Sequence, residues 1–468
     1  MGKVCGHGRR APPWVVKMSS FKAKVASAGC EEVSGTLLLV PGENLRTGLE
    51  DFRIEYSDFT TLEEDMLTVA SAIYACDLGF KRGEREEITR SISLEIPVVN
   101  HHAFQNTKDD LELLLWTLSH DNWTIKFTRI DGQPESKRTW PKEKGATILF
   151  SGGVDSFAGA LELLIDRGQD GVQLASHVTA NPVTRQSQDA LVSYLGTRFN
   201  GAAKRIALRS GGRNKGKYVF PKDSEREETQ RTRSFMYLSV AALAARRSGH
   251  NELVVIAENG QMAIHLPLSV ARVGSFSTHT AHPEFVVQAT AFFSRILDCE
   301  LKVSNPYLYK TKSEVVATIP ASDRVALAQS VSCWRGARVP SFNHCGDCVP
   351  CLVRRIAFEC NNIVLAEYKH DLFAQDVPNL PEANEGKRNL VELTEFAHAF
   401  ASKRDGELEG VFPDLISTDF DRTAAIAMYR RFAVEARTVL SRYPGPAKLL
   451  APPSNQGSGS RPAKAPRV

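Results

Sequence analysis

A pair of glycines followed by an acid is the first place where this chain could do chemistry. In TILFSGGVDSFAGALELL, residues 147–164, an apolar run ends at Phe150, meets Gly152 and Gly153, passes Val154 and Asp155, and resumes with helical spacing. Lacking a Cβ, both glycines can take positive φ and let an oxyanion reach the amide N–H groups, and the following helix N-terminus adds donors and partial positive charge. Ser151 and Ser156 add hydroxyls. Asp155 would repel a phosphate directly, so it makes sense with a Mg²⁺ ion between the two. The turn is neither the mononucleotide loop GxxxxGK(S/T) nor the dinucleotide fingerprint GxGxxG. The plainer alternative is a βα turn capped by Ser151 or Asp155, although such turns rarely need two glycines.

A second cluster lies in SCWRGARVPSFNHCGDCVPCLVRRIAF. Cys345, Cys348 and Cys351 follow a CxxCxxC spacing, and Cys333 can supply a fourth thiolate. Four sulfurs suit a closed tetrahedral Zn²⁺ site. An iron–sulfur cluster is the rival, and His344 could replace one ligand. Nine cysteines, an odd number with metal-like spacing, point to a reducing compartment and a cytoplasmic protein. Cys5, Cys30, Cys76, Cys299 and Cys360 read as ordinary buried thiols.

Other polar groups stand where a sheet would present them. Glu258, Asn259 and Gly260 follow the run LVVIA, and STHTAHPEF carries His279, Thr280 and His282, candidates for ring recognition or base chemistry. Lys312 reads as a surface lysine or a mobile point charge for phosphate or carboxylate. The basic stretches GGRNKGKYVFPK and RRSG read as solvated loops.

The elements that must position these residues follow from periodicity. From Ala146 onward strands and helices alternate as TILF, a helix over 155–166, VQLASHV, a helix over 188–199, KRIALR, a helix over 228–247 and ELVVIAEN. That order predicts an α/β fold with a doubly wound parallel sheet. Before it, GTLLLVPG, ISLEIPVV and NWTIKFTR read as strands and TLEEDMLTVASAIYACDLG as a helix, an α+β domain over 1–143 joined by a charged, proline-bearing linker over 131–145. The alternating domain spans 146–360, a helical extension 361–448 with helices over 382–402 and 418–442, and a disordered Pro/Gly/Ser-rich tail 449–468. At 468 residues several domains are expected, the net charge of +4 argues against a global nucleic-acid field, and no apolar run reaches the length of a membrane span. The N-terminus has no apolar signal region, and Gly6 stands where myristoylation needs Ser or Thr.

SGGVDS resembles the pyrophosphate loop of the PP-loop ATP pyrophosphatases, which share an adenine nucleotide alpha hydrolase-like fold. Joined to the cysteine motif, it is similar to the 7-cyano-7-deazaguanine synthases (QueC-like). RTRSFMYLSVA resembles that family's arginine-led helix, NPYLYKTKSEVV its PL…TKAEI stretch, and CGDCVPCLVRR its zinc segment. The resemblance covers about 146–358. It implies ATP, Mg²⁺ and Zn²⁺ as cofactors, with Asp155, Arg233 and Lys312 catalytic. Phe150, Ser151, Gly152, Gly153, Val154, Asp155 and Ser156 would bind ATP and pyrophosphate. Glu258, Asn259, Gly260, Thr280 and His282 would bind substrate, and Cys333, Cys345, Cys348 and Cys351 the metal. Glu314 and Arg354 also match. The family's D..GYPDC segment is absent, replaced over 257–285, and the N-terminal domain and C-terminal helices make the layout look like the long paralogues of Qat-type antiphage operons. The implied reaction is ATP-dependent adenylation of 7-carboxy-7-deazaguanine, an AMP-forming C–N ligation with ammonia or an amine of a partner protein from the same operon. Other implied partners are a second copy of the chain, as a homodimer, but neither a membrane nor nucleic acid as direct substrate. A tRNA-thiolating or lysidine-forming enzyme, and a non-catalytic nucleotide-sensing scaffold, are the alternatives.

Overall fold

The computed structural model describes residues 19–83, 89–136, 140–168, 171–178, 181–250, 254–269, 280–335, 342–364 and 368–450. Its strands are, in chain order, β1 (Ser19–Val25), β2 (Thr36–Leu39), β3 (Leu45–Arg46), β4 (Arg90–Val98), β5 (Asn122–Arg129), β6 (Ala146–Leu149), β7 (Val172–His177), β8 (Ala203–Leu208), β9 (Gly211–Gly212), β10 (Val254–Val255) and β11 (Val303–Ser304).

The central sheet runs β11-β10-β6-β7-β8 with every pair parallel. The chain builds outward from β6 through β7 to β8, then returns to the other side of β6 with β10 and β11. The order reverses between β6 and β10, and the crevice at that switch point is where open parallel sheets bind ligands. Helices cover both faces, as parallel sheets require. On one face Val154–Arg167 buries Phe157, Leu161 and Leu164, spaced three and four apart, together with Leu191 and Leu195 of Pro182–Arg198 and Val315 of Lys312–Ala317. On the other lie Arg233–Ser248 and Pro283–Ile296, through Phe235, Leu243, Phe292 and Phe293.

A second parallel sheet, β2-β1-β4-β5, occupies the N-terminal region. The helix Thr61–Gly79 begins with a capping box between Thr60 and Glu63 and is buried along most of its length. Its apolar residues join Arg233–Ser248 and the β4 residues Ile92, Leu94 and Ile96 in one continuous core.

Both stretches read as solvated basic loops act as fastenings instead. In GGRNKGKYVFPK, Gly211 and Gly212 pair antiparallel with Arg46 and Leu45, Arg213 donates to the carbonyls of Glu43 and Gly42, and Tyr218 and Phe220 are buried. In RRSG, Arg246 pairs with Glu135 at 2.7 Å, and Arg247 reaches Glu63 at 2.5 Å and Asp58 at 2.6 Å. Glu135 and Trp140, whose ring stacks under the Arg246 guanidinium, belong to the presumed linker, which is thereby bound to the body.

After the cysteine segment, Glu385–Ser402 and Arg422–Leu440 pack on Val349–Cys360 around Phe396, Tyr429 and Phe432. Among the described residues no helix is long and apolar enough to cross a membrane.

Candidate functional site

The glycine turn sits at the carboxyl end of β6. Gly152 has φ +83°, and a Cβ there would meet Ser187 Oγ at 3.0 Å and the Gln188 amide nitrogen at 3.1 Å, so conformation and space both demand glycine. Gly153 does not share the positive φ: it is extended (φ −82°, ψ 169°) and forms the N-cap of Val154–Arg167, with no side chain capping that end. The helix N-terminus therefore keeps donors for an anion. Ser151 Oγ accepts from Gly153 N and lies 3.2 Å from Ser156 Oγ. Phe150 and Val154 send their side chains into the core, so they serve the turn as structure.

Asp155 sits in the first helical turn, 5% exposed. Its Oδ2 accepts from Lys312 Nζ at 2.8 Å and from Asn259 Nδ2 at 2.7 Å. The plainer alternative of a surface lysine fails, because Lys312 is buried at the start of its helix and its backbone N–H donates to Gln261 Oε1. Glu258 stands at the same mouth, its backbone held by the Asn305 side chain. Burial would raise the Asp155 pKa, but the Lys312 ammonium and hydrogen bonds from Glu258, Lys312 and Asn259 bring it below the usual value. Glu258 moves the other way: burial and the neighbouring Asp155 charge push it well above the ordinary range. Asp155 Oδ1 is buried and has no hydroxyl or N–H donor. Two adjacent carboxyl groups with one such oxygen are a hard-oxygen donor set that fits Mg²⁺.

Most of the other expected residues also make structural contacts. Arg233 opens its helix exposed, over Tyr237 and near His177 at the end of β7, on the same rim of the sheet. Gly260 lies where a Cβ would strike Leu308 O at 2.1 Å, so it serves close packing. His282 caps Pro283–Ile296 by accepting from Glu284 N and packs against Phe420. Thr280 is half-buried just before that helix, and His279 lies outside the described residues. Glu314 forms a capping box with Thr311 and an ion pair with Arg431.

The four cysteine sulfurs lie within 4.8 Å of one another, with Cys333–Cys348 at 4.0 Å and Cys345–Cys351 at 3.8 Å. Four thiolates about 2.3 Å from one ion stand roughly 3.8 Å apart, so the cluster could hold a single tetrahedral metal such as zinc. An iron–sulfur cluster would share the thiolates among two or four irons and hold some of them farther apart. His344 is no part of the set. Its Nε2 accepts from Ser332 N at 3.3 Å, and burial holds its pKa down at about 3.

The cluster is tied to the glycine turn. Val331 N donates to Gly152 O at 3.0 Å, and Cys333 follows two residues later. Buried Arg354 fixes this segment through Leu327 O, Ser330 Oγ and Ser332 Oγ. On the other side of the turn, Ser187 Oγ reaches Gly152 O at 2.7 Å and Gln188 Nε2 lies 3.4 Å from the Phe150 carbonyl oxygen. Ser187, Gln188, Gln261 and Val331 carry no motif. Only their distance from the turn in sequence, bridged by the fold, makes them partners.

Residues 214–362, about a third of the chain, match the family model described as Queuosine biosynthesis protein QueC. The match includes Arg233, Glu258, Asn259, Lys312 and the four cysteines, and it begins after the glycine turn. No curated protein and no solved structure matches the chain.

Proposed function

We propose that this protein is an ATP-dependent, AMP-forming C–N ligase acting on the carboxylate of 7-carboxy-7-deazaguanine. The observation that carries the reading is Asp155, buried at the sheet's switch point beneath an uncapped helix N-terminus and paired with Lys312. The QueC match over the other half of the same crevice supplies the substrate class. Asp155 and Glu258 would hold Mg²⁺, whose charge neutralises the phosphates of bound ATP. The amides of Gly153 and the first helical turn, with Ser151 and Ser156, receive the departing pyrophosphate, where negative charge accumulates. Lys312 and Arg233 offer cations to the carboxylate or the α-phosphate.

A substrate carboxylate oxygen attacks the α-phosphorus, the bond to the bridging oxygen breaks, and pyrophosphate leaves. A nitrogen nucleophile then adds to the acyl carbon and AMP departs with one of the former carboxylate oxygens. Ammonia gives an amide, and a nitrile requires a second oxygen to be removed by a second AMP. An amine on a partner protein gives a conjugate after one AMP. The N-terminal sheet and C-terminal helices, more surface than ammonia requires, favour the protein acceptor and a place in antiphage defence. The cysteine site is read as structural zinc and the protein as cytoplasmic.

Incubation with α-labelled ATP, 7-carboxy-7-deazaguanine and ammonia should release pyrophosphate and AMP, and Asp155→Ala should abolish both. ADP and inorganic phosphate as products would refute the mechanism. Intact masses of co-expressed neighbouring gene products test the protein acceptor.

A further inference from the structure

A narrow apolar pocket adjoins the crevice on the side of the C-terminal helices. Gln261, Met262, Trp334, Phe396, Tyr429 and Phe432 line it, and it opens to solvent at its mouth. Three parts of the chain build it. Gln261 and Met262 belong to the short helix that follows Asn259, and Asn259 itself holds both Asp155 and Met262 N. Trp334 follows the cluster residue Cys333 and is 52% exposed. Phe396, Tyr429 and Phe432 come from Glu385–Ser402 and Arg422–Leu440, outside the segment matched to QueC.

The chemistry of the lining limits the occupant. Its deep walls are aromatic and almost wholly buried. Gln261 gives its Oε1 to the Lys312 backbone N–H, while its buried Nε2 has no hydrogen-bond acceptor. An unpaired amide donor beside aromatic walls suits a flat ring that carries an acceptor at its edge. Through Gln261 and Asn259 the pocket is bonded directly to the two residues, Lys312 and Asp155, that stand where the acid would be activated.

We infer that this pocket holds the planar bicyclic heteroaromatic body of the acid substrate, and that the C-terminal helices, rather than the QueC-like segment alone, set which ring is accepted. The inference rests on the ligase reading for the orientation of the carboxylate, whereas the pocket's preference for a flat ring stands on its lining.

Isothermal titration of the full chain tests it, with 7-carboxy-7-deazaguanine and indole-3-carboxylate as probes and a non-hydrolysable ATP analogue as the control. Met262→Trp fills the pocket and Trp334→Ala removes its exposed lip. Each should weaken ring binding by about tenfold or more, or 1.4 kcal/mol, and leave nucleotide affinity unchanged. Nucleotide affinity also shows that the variants are folded. Binding of indole-3-carboxylate alone, lost in Met262→Trp, upholds the pocket while refuting the deazaguanine substrate. Ring binding that is absent from the parent chain, or undiminished in both variants, overturns the inference, whatever the pyrophosphate assay shows.

Discussion

At the scale of single residues, the site depends on charges removed from water in opposite pairs. Lys312 and Asp155 are both under a tenth exposed and bonded at 2.8 Å. Lys312→Met leaves a buried carboxylate with only Asn259 donating to Oδ2 and Glu258 beside it. Breaking such a pair costs about 3–5 kcal/mol, so this variant should lose that much in denaturant titrations as well as its pyrophosphate release. Lys312→Met with a normal unfolding midpoint would contradict the pairing. Histidine makes the second residue-scale case. His177, buried at the end of β7 between Tyr74 and Tyr237, is held at about 4 chiefly by burial and further by the Arg233 charge, and burial likewise lowers His250. The unfolded chain takes up protons below about pH 6.5 that the folded chain refuses, so stability falls as pH drops from there towards 4. For His177 the shift amounts to about 3 kcal/mol, and His177→Gln should flatten the acid limb of a plot of Tm against pH. An unchanged acid limb would show that the ring is already charged in the native state.

At the scale of elements, the cysteine loop and the glycine turn are one device. The cluster fixes Cys333, Arg354 fixes Leu327, Ser330 and Ser332, and Val331 between them holds the Gly152 carbonyl. Arg354→Met should therefore raise the KM for ATP severalfold and speed amide exchange in 327–335 and in 151–153 together. A purely global role for Arg354 would lower Tm without singling out those two segments. How far these elements could be read from sequence depends on the range of their contacts. Val154–Arg167 and Thr61–Gly79 declared themselves within a residue or so, because periodicity and capping are local signals. The parallel alternation and the cysteine spacing were legible for the same reason. β1 was missed, since SSFKAKV carries two lysines on its partly exposed face and lacks an unbroken apolar run. Gln261, Val331 and the Ser187–Gln188 pair were invisible, each being joined to the site across tens of residues or more. The two basic loops were misread because Glu63, Asp58 and Glu43, which bind their arginines, lie more than 150 positions away.

At the scale of the whole molecule, the N-terminal region shares its core with the central sheet, although sequence sets it apart at about residue 143. One core runs from β1 and β4 through Thr61–Gly79 to Arg233–Ser248, and β3 lies on β9 as a second seam. The seam is also ionic: Arg246 and Arg247 depend on Glu135, Glu63 and Asp58, and the buried Arg231 donates to Ser119 O at 2.8 Å. A chain starting at residue 144 would uncover Met236, which packs on Ser71 of Thr61–Gly79, and would strand three arginines whose partners are gone. Each uncompensated buried charge costs several kcal/mol against a total stability of about 5–15 kcal/mol, so the fragment should not fold alone. Expression of 144–468 is expected to give aggregated protein, and co-expression of 1–143 as a separate chain to restore a soluble complex that melts cooperatively. The opposite result, a soluble 144–468 fragment that melts cooperatively, would mean that the shared core is a docking contact between independent domains. In that case the rim residues Arg233 and His177, which pack beside Tyr74 of the N-terminal helix, would have to hold their places without it.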